Sequence, residues 1–408
     1  SEDFYNLTIQ GTGGLAAGVA GAVGVHDLNI TTKAYTDSGV EINQADGYAS
    51  GGNITFTAEN DLDIESTIVG AAFAGVGVGA AVDVANIITQ TNAYIGNNNS
   101  VKNGNALNIT ATESFGTASD KIKSAAVSGT IAGGSINGGI SVYSYGSGMS
   151  SEDKKQLESS NAQTIDAWTQ DYINQSSTKD ALGKYEGNTV AAQVGQAVEN
   201  RNFTSNITNT VTTGAEGTAA KIGSNSNIVS NGDVTVNASN SLHSETSVGS
   251  GVLGCLALGA AVGVVNNNSE ISSSVDNGAN ISGANAFTVT SNSSSDIQGK
   301  SVAPAVGINA GAAASLDFNN NASVLTNIGN GVQVTANAIN FNSHVTGNMY
   351  AHATGVGVGI SGVGLVVSLV DSNEDATTNV GENINLNAEN GTIAITANSD
   401  IIGKVKAE

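Results

Sequence analysis

The chain has 408 residues, of which 52 are Gly, one is Pro, 4% are aromatic and 12% are charged. That composition argues against a globular enzyme core, which needs larger side chains, and against disorder, which favours Pro and charge. Thirteen Lys and Arg stand against 35 Asp and Glu, a net charge of −22, so nucleic acid is excluded as a partner and no attraction to an anionic membrane follows.

The opening Ser1-Glu2-Asp3 is acidic and no signal peptide follows it. Leu7-Thr8-Ile9 reads as the remnant of a first strand, and Gly14 to Val25 as a strand of small residues. Next comes Asn53-Ile-Thr-Phe-Thr-Ala58, alternating polar and apolar in the two-residue period of a strand with one buried face. The same pattern returns at Ala106–Ala111, Asp233–Ala238, Ala286–Ser291, Ala338–Ser343 and Thr392–Ala397. Taking Phe56, Ile109, Val236, Val289, Phe341 and Ile395 as equivalent, successive spacings are 53, 127, 53, 52 and 54 residues. The chain is thus predicted to repeat every ~53 residues, with one repeat carrying an insertion.

Some 15 to 20 residues after each anchor comes a small-residue strand: Ala71–Ala80, Ala126–Gly133, Gly251–Val265, Val302–Ala314 and Gly355–Val370. In runs such as Gly75-Val-Gly-Val-Gly79, Val and Ile are expected to face the core, leaving Gly and Ala as a flat outer face; as a second reading, that face is a lateral association surface. Gly355–Val370 is too short and Gly-rich for a spanning helix, so no membrane insertion is expected. The pairs Gly51-Gly52, Asn103-Gly104, Asn231-Gly232, Asn277-Gly278 and Asn390-Gly391 are expected to supply positive φ angles at corners. A repeat of this length has room for two or three coils of a parallel β-helix, and six repeats would then reach on the order of 60 to 90 Å. Both ends fall at nearly the same phase, as in a segment of a longer array.

Three regions are expected: strand repeats over 1–148, an α-helical insertion over 149–201, and repeats again over 202–408. Ser150-Ser-Glu-Asp153 has the form of a capping box, and Leu157, Ile165, Trp168 and Tyr172 fall near one helical face. The insertion holds the only Trp and the only Arg, Arg201. Trp168, Tyr172, Lys154 and Lys155 are therefore the candidate binding residues, against the alternative that the insertion is a lid with Trp168 beneath it.

Little else points to chemistry. His26, His243, His344 and His352 lack metal-ligand spacing, and Asp61-Leu62-Asp63 offers only a weak calcium candidate. With one Arg and scattered Lys, a lyase has little to stabilise a carbanion. Cys255, the only cysteine, lies in an apolar run and is expected to be buried; it can form no internal disulfide. No catalytic residue, cofactor or metal is assigned.

The run Gly75-Val-Gly-Val-Gly-Ala-Ala-Val-Asp-Val-Ala-Asn86, its continuation Thr89-Gln-Thr-Asn-Ala-Tyr-Ile95 and the closing Leu107-Asn-Ile-Thr-Ala-Thr112 resemble repeats of leukotoxin-type and filamentous-haemagglutinin-like bacterial adhesins. The resemblance covers nearly all of the chain outside the insertion. It implies an all-β, right-handed parallel β-helix, export through a dedicated outer-membrane route, and an extracellular, cell-surface adhesive role. The expected partners are neighbouring repeats of the same or an identical chain and a cell-surface receptor or glycan. The alternative is a carbohydrate-active or toxin module on the same scaffold.

Overall fold

The structure is a computed structural model that describes residues 2–45, 51–119, 121–146 and 217–408. Among them every regular element is a β-strand, and the twenty strands join one sheet through parallel pairings. The expected helical insertion at 149–201 lies outside the described residues, and so do Trp168, Tyr172, Lys154, Lys155 and Arg201.

The anchor strands pair as their spacing predicts. Phe56 lies beside Ile109, Ile109 beside Val236, Val236 beside Val289, Val289 beside Phe341, and Phe341 beside Ile395. The 127-residue interval closes without a slip, since Val234–Leu242 pairs with Leu107–Phe115 residue for residue. Register is this well determined because a one-residue shift would turn every buried side chain outward.

The number of coils differs from expectation. Strands pair with the strand one whole repeat away, so each repeat contributes one layer and not two or three. The deepest column runs Leu7, Thr67, Ala125, Ser247, Lys300, His352, Lys406. Its seven layers at ~4.8 Å stand ~29 Å apart from first to last, less than half of the expected length. A 53-residue period states how often the pattern returns; it leaves open how far the chain travels before returning.

Burial alternates residue by residue, as along Val234–Leu253. One apolar cluster gathers the anchor strands around Ile109, Val236, Phe287 and Phe341; a second is built on Phe115, Tyr143, Tyr145 and Phe318; a third is mostly Ala. At the corners, Asn side chains of one layer accept from the backbone of the next: Asn97 Oδ1 from Ser224 N–H (2.9 Å), Asn277 Oδ1 from Asn330 N–H (2.8 Å) and Asn330 Oδ1 from Glu382 N–H (2.8 Å). Of the paired turn glycines, Gly278 takes a positive φ of 71°. Gly232 and Gly391 do not; a Cβ there would strike the carbonyl of Asn105 or Asn337 in the adjoining layer, so they are small for closeness and not for φ.

The small-residue strands reverse the expected facing. In each layer the chain doubles back at a corner, near Gly75, Gly133, Gly254, Gly307 or Gly359, and the two arms lie face to face. Across the gap Gly139 would carry a Cβ 2.5 Å from the Gly249 oxygen and 2.9 Å from the Ala126 oxygen. Ala72, Gly77, Gly79 and Ala81 therefore point inward, while Phe73 faces out. The arms approach closely enough that most inward positions are Ala or Gly, with Ile68, Val248 and Val252 the large exceptions, and most of the larger residues take the outside.

Candidate association surface

The outward positions of these arms form ladders. Phe73 lies beside Ile131, then Leu253, Val306 and Val358 in successive layers. These five side chains are 54, 51, 52, 43 and 53% exposed. Four residues earlier on the same flank, Val69, Val127, Gly249 and Val302 make a parallel column, with Val127 and Val302 also exposed. Burying such side chains is normally worth ~1.5 to 3 kcal/mol each, so a soluble monomer carrying them in a row leaves that stabilisation unused. Cys255 sits at the corner between Leu253 and Leu256 and is exposed, contrary to expectation. The corner carries its side chain off the buried face that strand alternation would have given it.

The same flank is free of charge. Residues 4–25, 66–82, 124–146, 246–269, 301–316 and 353–370, one stretch per layer, contain no Asp, Glu, Lys, Arg or His. Charge begins at the margin of the flank. Asp83 is fully buried, accepts from Ser66 Oγ (2.9 Å) and the Tyr143 hydroxyl (3.0 Å), and lies 3.8 Å from His26 Nε2. Burial raises its pKa to about 6, against the lowering effect of the Ser66 and Tyr143 bonds. Burial also lowers the pKa of His26. This Ser, His and Asp grouping is not a nucleophilic site. Ser66 donates to the carboxylate, its hydroxyl is fully buried, and the imidazole does not bridge the two.

A second buried carboxylate, Glu113, accepts from Asn60 Nδ2 (3.4 Å), Thr218 Oγ1 (2.9 Å) and Asn240 Nδ2 (2.9 Å), joining three layers. Sequence reasoning missed both centres, since their members lie between 17 and 127 residues apart. The other three histidines each face a carboxylate: His243 and Asp296 at 3.9 Å, His344 and Asp400 at 3.3 Å, His352 and Glu408 at 3.4 Å. Lys121 joins the first pair, 2.6 Å from Asp296. Asp61 and Asp63 flank buried Leu62, and among the described residues no three His, Cys, Asp or Glu are grouped to hold a metal.

One shallow concavity of about 290 Å³ is lined by Lys33, Asp37, Tyr94, Asn97 and Lys221. Tyr35 stacks on Tyr94 at 4.9 Å, and Lys221 is 2.7 Å from Asp276. The sequence-derived binding residues, Trp168, Tyr172, Lys154 and Lys155, lie outside the described residues. Comparison with known proteins finds no matching family model, no matching curated protein and no matching solved structure.

Proposed function

We propose that this chain is a structural and adhesive segment of a large secreted bacterial surface protein, its strands wound as a right-handed parallel β-helix. The carrying observation is the unbroken column from Phe56 through Ile109, Val236, Val289 and Phe341 to Ile395. Each layer rests only on its neighbours, so a protein of this design gains height by adding repeats, at ~4.8 Å per layer. Right-handed winding follows from the strong preference of parallel strands for right-handed crossovers. The buried carboxylates support an architectural reading, because their bonds tie layers together and a substrate has no way to reach them. Contacts are made with neighbouring repeats of the same or an identical chain and with a cell-surface receptor or glycan.

The test is a binding screen of the purified full chain against cultured cells and arrayed glycans, with reducing ends and cell lysis measured in parallel. Binding without sugar release or lysis is expected. Release or lysis that ceases on Trp168→Ala would replace this reading with the carbohydrate-active or toxin module.

A further inference from the structure

We infer that the charge-free flank bearing the Phe73, Ile131, Leu253, Val306 and Val358 ladder is a side-to-side docking surface for a second copy of this chain. This makes specific the contact with an identical chain proposed above and stands without the cell and glycan binding.

The first argument is charge. A molecule at −22 repels its own copies wherever acidic surfaces meet, and the repulsion is strongest at low salt. Six consecutive layers nevertheless keep one region wholly uncharged, although 48 of 408 residues are charged. That is where two identical chains can touch without opposing like charges. A cationic partner would instead be drawn to the acidic remainder.

The second argument is relief and size. Large apolar groups protrude at Phe73, Ile131 and Leu253, and between them lie hollows at Gly129 and Gly251, where an added Cβ would meet nothing within 4 Å. Knobs beside hollows, repeated at the layer spacing, suit interdigitation with a copy of the same surface. Residues 69 to 75 span ~20 Å along the strand and six layers stand ~24 Å from first to last, a projected area on the order of 500 Å². A standard interface takes ~800 Å² from each partner, and side-chain relief raises accessible area above projection.

The test is sedimentation velocity of the full chain between about 1 and 100 µM. Reversible dimers are expected, tightening as NaCl rises, because salt screens the mutual repulsion and leaves apolar contact intact. The double variant Leu253→Glu, Val306→Glu should associate at least ten-fold more weakly. Thr235→Glu, Thr288→Glu, which adds the same charge on the anchor strands, should weaken association far less; circular dichroism verifies that both fold. A chain that stays monomeric, dimers that weaken with salt, or a flank variant that associates like the parent would each overturn the inference. So would a wild-type chain that binds phosphatidylcholine vesicles through this flank without self-associating. Failure here leaves cell and glycan binding untouched, so the two readings fail separately.

Discussion

Gly138 and Gly139 are neighbours in one strand and face opposite ways, which makes them a controlled pair. A Cβ on Gly138 meets nothing within 4 Å, whereas one on Gly139 lands 2.5 Å from the Gly249 oxygen and 2.9 Å from the Ala126 oxygen. Both neighbours are backbone and cannot swing aside. Replacing either glycine with Ala removes the same unfolded-state freedom, worth ~0.5 to 1 kcal/mol in favour of the variant. Only Gly139→Ala must also push two arms apart, at an overpacking cost of ~1 to 3 kcal/mol. Gly138→Ala should therefore stabilise slightly, and Gly139→Ala should fall below it by ~1 to 3 kcal/mol. Urea denaturation at about 1 µM, where association is weakest, measures the difference. Equal midpoints would refute the close face-to-face approach of the arms, and with it the outward placement of the large side chains.

Other expectations follow from the buried groups. Asp83 has a folded pKa of about 6, above its unfolded value near 3.8, so the folded state binds the extra proton between those values and stability falls as pH rises from ~4 to ~6. Asp83→Asn should cancel this slope, its stability gain over the parent growing toward a ceiling of ~3 kcal/mol above pH 6; a gain equal at pH 4 and pH 7.5 would discredit the burial argument. Glu113→Ala strands the Asn60, Thr218 and Asn240 donors between layers and should cost ~2 to 3 kcal/mol in denaturant titration; a neutral substitution would show the network to be idle. Cys255 is exposed, so an aromatic disulfide reagent should titrate one thiol in the folded chain at the rate seen in denaturant; strong protection in dilute monomer would contradict its corner position.

The sequence carries the period openly because burial must recur on the same face of each layer. Phe56, Ile109 and Val236 can be aligned by eye, and the fold places them side by side. Which face of the Gly-rich arms lies inside was not legible. Alternation marks two faces without naming the buried one, and the usual rule that Val goes inside fails where an opposing backbone leaves room only for Gly, as at Gly70 and Gly139. The Asp83 centre was hidden for another reason: His26 and Tyr143 meet it because layers stack, and Ser66 because the chain doubles back within its own layer, and no local spacing records either. Likewise the flank's lack of charge can be counted in the sequence, but it becomes a surface only once the six stretches are in register.

Register also decides how the chain tolerates loss of length. Removing residues 286–337 deletes one period and joins Asn285 to Ala338. Val236 would then lie beside Phe341, Ala257 beside Gly362, and Val275 beside Val380, each pair already connected through the layer removed. Inward residues would still meet inward residues, so the shortened chain should fold, with a urea m-value reduced in proportion to the surface lost. Removing only residues 286–311, half a period, would instead set the anchor strand of one layer against an arm of the next and place buried Val236 beside unrelated positions. That variant should lose its cooperative transition. Had each repeat formed two coils, the half-period deletion would remove one complete coil and be tolerated as well as the full one, so two variants of equal cooperativity would overturn the assignment of one layer to each repeat.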